Sequence, residues 1–394
     1  MKNAKLFICH HPVVIPLYKN MAEIARKYDK DAKIILLKIN HEYFSEFDIK
    51  PYEKYFDEII EFDFIGYKRN FFVGFYEILK FKNKLKKTIS ESLRNFEVID
   101  LFLADSAWLP VNILLYSLSR QKNIKSIVKI SFVDPVGAQT KINKVKSFFC
   151  FAYTLFFKCY RINVITTLNG KFVNFVYALN TPGNLITIIN PTSRLSEKAF
   201  AEDKSLFAYP IISKNIPLKK RDMVIIFGDS SIFDVYSEYL PSYEVFVKKM
   251  ALFMQAIEKK YPDCKLYFKP HPSDGNKIMP GIDIKKYNLL DNSADAQVLF
   301  DRFGPRIRAV YAFSSFSIIF GSFFSIPSYF FYRCMFNGAG INKFDSLYHQ
   351  DNLRSKFIFF ISDLKEIGKI DNLKKTAQSN TKDINNKFRK LLKV

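Results

Sequence analysis

At 394 residues the chain is long enough for two domains of roughly 150 to 200 residues each. Its 48% hydrophobic and 16% aromatic content excludes a disordered polypeptide. Sixty Lys and Arg against 38 Asp and Glu give a formal charge of +22, which attracts nucleic acid, an anionic membrane face or anionic substrates. No nucleic-acid motif or arginine-rich arm accompanies that charge, and the lysines are spread along the chain. A membrane surface or a diffuse anionic field therefore fits better than base readout.

Lys5 to Cys9 reads as a short strand, followed by His10-His11-Pro12. Leu17, Met21, Ile24 and Ala25 then recur at helical spacing over residues 16–28. Lys33 to Ile39 is a second strand, so the chain opens with the βαβ rhythm of a doubly wound sheet. Tyr55 to Phe64 reads as strand, and Phe71 to Leu93 as one or two amphipathic helices with a lysine-rich face. Val98 to Ala104 is an apolar strand ending at Asp105-Ser106, and a helix follows over Val111 to Leu118. Ile124 to Val133 is a strand ending at Asp134-Pro135-Val136-Gly137. Phe148 to Phe157 is strongly apolar and flanked by Lys141, Lys144, Lys146, Lys158 and Arg161. It fits an interfacial helix on an anionic bilayer and a buried core helix equally. Asn163 to Leu168 and Leu185 to Ile189 read as the strands that close the first sheet.

Residues 191–222 change character. Pro191, Pro210 and Pro217 punctuate polar and basic residues, which reads as an inter-domain linker. A second α/β unit follows. Its expected strands are Met223 to Phe227, Leu266 to Phe268, Ala309 to Ala312 and Ile326 to Phe331; its expected helices are Tyr243 to Lys260 and Phe316 to Phe323. A basic amphipathic helix, Asp383 to Leu392, ends the chain. The reading is α/β, with residues 1–190 as an acceptor-side Rossmann-like domain, 223–370 as a nucleotide-sugar-binding one, and 371–394 as the terminal helix. By analogy this is the GT-B architecture, with loops converging on a central cleft.

Chemistry is expected at strand ends, because ligands of open α/β sheets sit outside the carboxyl ends of the strands. Lys265-Leu-Tyr-Phe-Lys-Pro-His-Pro-Ser-Asp274 is the most informative stretch. Its strand stops at Pro270, and His271 is presented from a stiff turn between Pro270 and Pro272. Ser314-Ser315 stands between a strand and a helix, where two hydroxyls and free amides form either an anion site or a plain helix cap. Gly228-Asp229-Ser230 follows another strand, and its glycine permits close backbone approach. Gly228, Asp229, Ser230, Lys269, Pro272, Ser314 and Ser315 are the substrate-binding candidates. For a base that takes a proton from an acceptor hydroxyl, Asp134 and Asp105 each lie just beyond a strand of the first domain. Asp134 is preferred for its neighbouring glycine, and Asp105 stays open.

The five cysteines form no CxxC pair and sit in apolar runs, which reads as reduced thiols of a cytoplasmic protein. No metal-ligand spacing is present, no signal-peptide core opens the chain, and no apolar stretch reaches spanning length. The location expected is cytoplasmic, or peripheral on the inner face of the membrane.

His271-Pro272 and Ser314-Ser315, with an acidic-Gly loop in the first domain, resemble the bacterial GT-B sialyltransferases and polysialyltransferases, whose motifs are an acidic pair with Gly, H-P and S-S. Asp134-Pro-Val-Gly137 departs from that acidic motif. The resemblance implies an inverting, metal-independent transfer of a nonulosonic acid from a CMP donor to a cell-surface glycan such as capsule or lipooligosaccharide, without a cofactor. It implies that the acidic residue deprotonates the acceptor, that His271 bonds the CMP phosphate, and that Ser314 and Ser315 bind the same phosphate. The partners expected are a CMP-activated sugar, an anionic glycan acceptor and an anionic membrane surface, with no nucleic acid. A CMP-Kdo transferase or a CDP-glycerol-type polymer transferase is the alternative enzyme. A non-catalytic, membrane-surface component of a polysaccharide assembly complex is the alternative of another class.

Overall fold

The computed structural model describes residues 2–10, 14–41, 49–64, 71–104, 109–132, 140–142, 160, 162–167, 174–178, 182–189, 206–208, 220–228, 232–270, 278–291, 296–315, 317–324, 326–348, 357–367 and 381–393. They divide into two compact units. One comprises Met1–Ile188, Lys204–Phe207 and Lys382–Val394; the other comprises Ile189–Asp203 and Ala208–Thr381.

The first unit is a parallel sheet with helices on both faces. Strand β1 (Asn3–Cys9) is buried almost throughout, as a central parallel strand must be. Helix α1 (Ile15–Tyr28) starts on Pro16, which needs no partner for an N–H in the first turn, and ends on Arg26 and Lys27, which suit its negative end. Strands β2 (Lys33–His41) and β3 (Glu58–Phe64) follow. The expected strand from Tyr55 begins later than the apolar pattern indicates: Lys50–Tyr55 is a 3-10 turn with Pro51 in its first turn. Helix α2 (Phe71–Leu93), strand β4 (Val98–Ala104), helix α3 (Leu109–Leu118) and strand β5 (Ile124–Phe132) complete the βαβ series.

Strands β6 (Thr140–Ile142), β7 (Ile162–Thr167) and β8 (Asn174–Ala178) form a separate three-stranded antiparallel sheet. The expectation that Asn163 to Leu168 closes the main sheet is therefore corrected. That strand pairs with its sequence neighbours, and β9 (Asn184–Ile189) takes the place beside β5. Strand β10 (Leu206–Ala208), within the 191–222 segment, adds an edge, and the main sheet runs β10-β9-β5-β4-β1-β2-β3.

Alternation along β1 sorts this core. Leu6 and Ile8 face the side covered by α2 and α3, with Leu101, Leu103, Phe81 and Leu85. Phe7 faces the other side, stacked on Phe102 at 4.9 Å and tilted against Tyr18 of α1 at 5.1 Å. Lys5 lies opposite Asp100 in the ladder, and its ammonium approaches Oδ2 at 3.3 Å. The C-terminal helix Thr381–Leu392 closes over this pair. Lys5 donates to the Leu392 carbonyl at 2.7 Å, Lys393 reaches Asp100 Oδ1 at 3.2 Å, and Phe388 and Leu392 are fully buried.

The second unit carries strands β11 (Met223–Phe227), β12 (Lys265–Lys269), β13 (Asn288–Leu289), β14 (Ile307–Ala312), β15 (Ser328–Phe330) and β16 (Ile358–Phe360), all paired in parallel. Helix α4 (Ile232–Tyr236) follows β11, and helix α5 (Tyr243–Lys260) buries Phe246, Met250, Phe253, Met254 and Ile257 at helical spacing. Helices α6 (Ala296–Phe303), α7 (Ser317–Phe323), α8 (Tyr332–Met335) and α9 (Gly338–Tyr348) alternate with the later strands. Of the expected strand Ile326 to Phe331, Ser328–Phe330 is in register with β14; Pro327 offers no N–H but its carbonyl accepts from Val310, and the Phe331 amide donates to the Ala312 carbonyl. The core is aromatic: Phe253 stacks on Phe331 at 4.1 Å, Tyr311 stacks on Tyr329 at 4.7 Å, and the hydroxyls of Tyr261 and Tyr311 meet at 3.0 Å. The chain thus contains the two Rossmann-like α/β units expected from its sequence.

Candidate functional site

The strand order in the second unit is β13-β12-β11-β14-β15-β16. The chain first builds outward from β11 through β12 to β13, then returns to the other side of β11 with β14. That reversal separates the loops after β11 and β14, and such a point is where doubly wound sheets bind their ligands. Two of the stretches singled out by sequence, Gly228 and Ser314-Ser315, follow the strands that border it, and Pro270 follows β12, one strand away. Phe227 is in register with Lys269 of β12 and with Ala312 of β14, so Gly228, Pro270 and Phe313-Ser314 leave adjacent strands at nearly one level.

Each described residue has a local reason for its place. The Gly228 amide donates to the Lys269 carbonyl at 2.9 Å and extends the ladder by one residue. A side chain there would put Cβ 2.2 Å from Cζ of Phe268, whose ring is wholly buried, so the bare Cα is demanded by packing. Lys269 is 3% exposed, and its ammonium donates to the Pro270 carbonyl at 2.9 Å. Pro270 has no N–H and stops the strand. Phe313 and Ser314 are buried, and Ser315 is half-buried. Ser315 Oγ accepts from the Ser317 amide at 3.3 Å, the capping geometry of α7; its own O–H is a donor. His271, Pro272, Asp229 and Ser230 lie outside the described residues.

The first unit has the same logic. Its order places the reversal between β1 and β4. His10, buried to 5% exposure, follows β1, and Ala104, the last residue of β4, directly precedes Asp105. Asp134 follows β5, one strand farther from the reversal. Asp105 and Asp134 lie outside the described residues, as does Phe148 to Phe157. Tyr18 of α1 donates its phenol proton to the Ile8 carbonyl at 2.9 Å near the end of β1. Complete burial pushes that phenol well above its ordinary range, so it stays a neutral donor.

Sequence reasoning missed a polar cluster beyond β15. Arg333 grips Asp345 through Nε at 2.9 Å and Nη2 at 3.0 Å, and Tyr332 donates to the same carboxylate at 2.6 Å. Burial and the bond to Asp345 both push the Tyr332 phenol up. Desolvation pulls Arg333 down, but the carboxylate outweighs it and the guanidinium rises. Asn337-Gly338, a turn pair ahead of α9, was the available signal. Among the described residues no group of His, Cys, Asp or Glu is placed to hold a metal ion, and no helix is long and apolar enough to cross a membrane. Cys9, Cys264 and Cys334 are in no disulfide; Cys150 and Cys159 lie outside the described residues.

No protein-family model matches the sequence, and no curated protein matches it. Among solved structures, the chain is similar to a protein described as a UDP-N-acetylglucosamine 2-epimerase from Listeria monocytogenes, with 10% identity over 99% of this chain and 91% of that one, at a TM-score of 0.48. It is similar to a family 9 glycosyl transferase from Veillonella parvula, with 12% identity over 100% and 95% of the two chains, at 0.41. A sialyltransferase from Photobacterium damsela aligns with 10% identity over 91% and 81%, at 0.43. At TM-scores under 0.5 these likenesses identify no donor, acceptor or reaction.

Proposed function

We propose that the chain is a GT-B glycosyltransferase that moves a nonulosonic acid from a CMP donor to a cell-surface glycan, with inversion. The observation that carries this reading is the register of β12, β11 and β14. It brings Pro270, Gly228 and Ser314-Ser315 to three neighbouring strand ends, two of which border the sheet reversal. A nucleotide phosphate bound there meets an imidazole, a hydroxyl donor and backbone amides, the groups that stabilise a departing phosphate.

In this mechanism an acceptor hydroxyl oxygen attacks the anomeric carbon. The new C–O bond forms as the bond from that carbon to the CMP phosphate oxygen breaks. The acceptor proton passes to a carboxylate base, and the charge on the released CMP is met by His271, Ser314 and Ser315. Asp105 is the stronger candidate on topology, since it follows a strand bordering the reversal of its own sheet; Asp134 stands one strand away. A CMP donor already carries a good leaving group, so the mechanism as proposed requires no metal for its departure.

The test is a crystal soak with CMP, joined to transfer assays on a donor panel of CMP-sialic acid, CMP-Kdo and CDP-glycerol read by product mass. The phosphate is expected beside Ser315 and His271, and His271→Ala is expected to lower kcat/KM by about 10²- to 10⁴-fold. Nucleotide bound elsewhere, or full activity in His271→Ala, overturns the assignment. Turnover of CMP-Kdo or CDP-glycerol alone overturns the sugar.

A further inference from the structure

Helix α2 (Phe71–Leu93) has two working faces. Ile78, Phe81, Leu85, Ile89 and Leu93 recur every three or four residues and are all buried. They pack into the core of the first unit, with the ring of Phe81 edge-on to Phe62 of β3 at 6.0 Å. That face satisfies the helix.

The outer face does not read like an ordinary solvated helix. Tyr76 is 63% exposed and Leu79 37% exposed, and Lys80, Asn83, Lys84 and Lys87 are exposed on the same side at steps of three and four. Between Lys80 and Lys87 the chain carries Lys80, Lys82, Lys84, Lys86 and Lys87 and no acidic residue. Lys80 and Lys84 on this face are like charges at i,i+4, an arrangement that destabilises a helix in water. Glu91, on the same side, marks the end of the patch, so the stripe from Tyr76 to Lys87 spans about 17 Å of helix axis. The sequence therefore maintains a repulsion on one exposed face that an anionic surface relieves.

We propose that this face of α2 docks the protein on an anionic lipid bilayer. The charge is complementary, and the placement of Tyr76 and Leu79 decides between polyanions. A nucleic acid offers stacking to Tyr76 but nothing apolar to Leu79. A bilayer interface accommodates the tyrosine ring at headgroup level and the leucine beneath it, while lysines extend their stems and keep their ammonium groups in water. The contact is peripheral, lying in the interface. It does not depend on the transferase reading.

The experiment is sedimentation of the full chain with vesicles of phosphatidylcholine alone and of phosphatidylcholine with phosphatidylglycerol. Binding is expected to the anionic vesicles, to weaken with salt, and to be absent on the neutral ones. Each lysine near such a surface contributes a factor of about five, so Lys80→Glu with Lys84→Glu and Lys87→Glu should weaken binding by at least about a hundredfold, while the matching Lys→Arg set retains it. Tyr76→Trp should shift its emission to the blue on anionic vesicles only; it joins a single native tryptophan, Trp108. The Lys84 ammonium also lies over the Phe62 ring at 5.9 Å, so melting curves of both lysine sets are recorded to separate loss of binding from loss of stability. Equal binding to both vesicle types, wild-type binding by the triple Glu variant, no blue shift, or binding of a single-stranded oligonucleotide without binding of vesicles overturns the proposal.

Discussion

Replacing Gly228 by alanine tests whether the candidate site rests on packing beneath it. The added Cβ would lie 2.2 Å from Cζ and 2.7 Å from Cε2 of Phe268. Ordinary contact between such carbons begins near about 3.5 Å, so the ring must retreat by more than about 1 Å. It has nowhere to go: Phe268 is fully buried in a close-packed core. Overpacking of this kind costs about 1–3 kcal/mol. For a unit of this size that lowers the melting temperature by about 2–4 °C per kcal/mol. Phe268→Leu removes the colliding Cζ and Cε atoms at its own cavity cost. In a double-mutant cycle followed by thermal or urea denaturation, Gly228→Ala should therefore cost less in the Phe268→Leu background, with a coupling of about 1 kcal/mol or more. Strict additivity, or a Gly228→Ala protein that melts like wild type, refutes the packing account and leaves close approach of a ligand as the reason for the glycine.

Lys5→Met should loosen the C-terminal helix, because Lys5 is 3% exposed and holds both Asp100 and the Leu392 carbonyl. Breaking a buried pair costs about 3–5 kcal/mol, with Lys393 retaining part of it here; faster amide exchange in Thr381–Leu392 is the expected readout, and unchanged exchange counts against it. The Asp222–Arg306 pair is nearly half exposed and should contribute no more than about 1 kcal/mol. Its hydrogen bond from Arg306 lowers the Asp222 pKa despite partial desolvation. That contribution is complete above the ordinary carboxylate range and fades as pH falls through the lowered folded value. The stability gap between wild type and Asp222→Asn should thus shrink on acidification below about pH 4, and a gap that widens refutes the sign. Burial pushes the Cys334 thiol up to about 12, with Glu366 and Asp363 adding to it. At pH 8 only about one thiol in 10⁴ is then ionised, so alkylation followed by mass spectrometry should label Cys334 at the rate of unfolding; rapid labelling in the native state contradicts this.

The strands were legible because burial on both faces writes itself as an apolar run. Met223 to Phe227 and Val98 to Ala104 stand where the sequence places them, and the long helix Tyr243–Lys260 shows its core stripe directly. Short elements were not legible. Asn288–Leu289 is a two-residue exposed edge strand, and Leu206–Ala208 sits among prolines and polar residues. Neither is long enough to show a period. The order of strands in a sheet is equally hidden, since pairing joins segments far apart in the chain: β11 pairs with β14 some eighty residues on through register, not composition. Ile162–Thr167 has the apolar character of a sheet-closing strand and joins another sheet for that reason.

The candidate site shows the same division. A histidine between prolines and a serine pair are local signals, and their placement after parallel strands follows from the βαβ rhythm. That the loops after β11 and β14 flank a reversal requires the full strand order, and only that order separates Asp105 from Asp134. A nearby glycine favours Asp134 when the sequence is taken alone, because backbone room is the only criterion in view. Once β1 and β4 are known to border the reversal, the criterion becomes which strand end faces the gap between oppositely built halves of the sheet. By that measure the end of β4, which leads to Asp105, borders the gap beside β1 and the buried His10, whereas β5, which leads to Asp134, has neighbours on both sides that belong to one direction of winding. On that criterion the proposed base moves from Asp134 to Asp105.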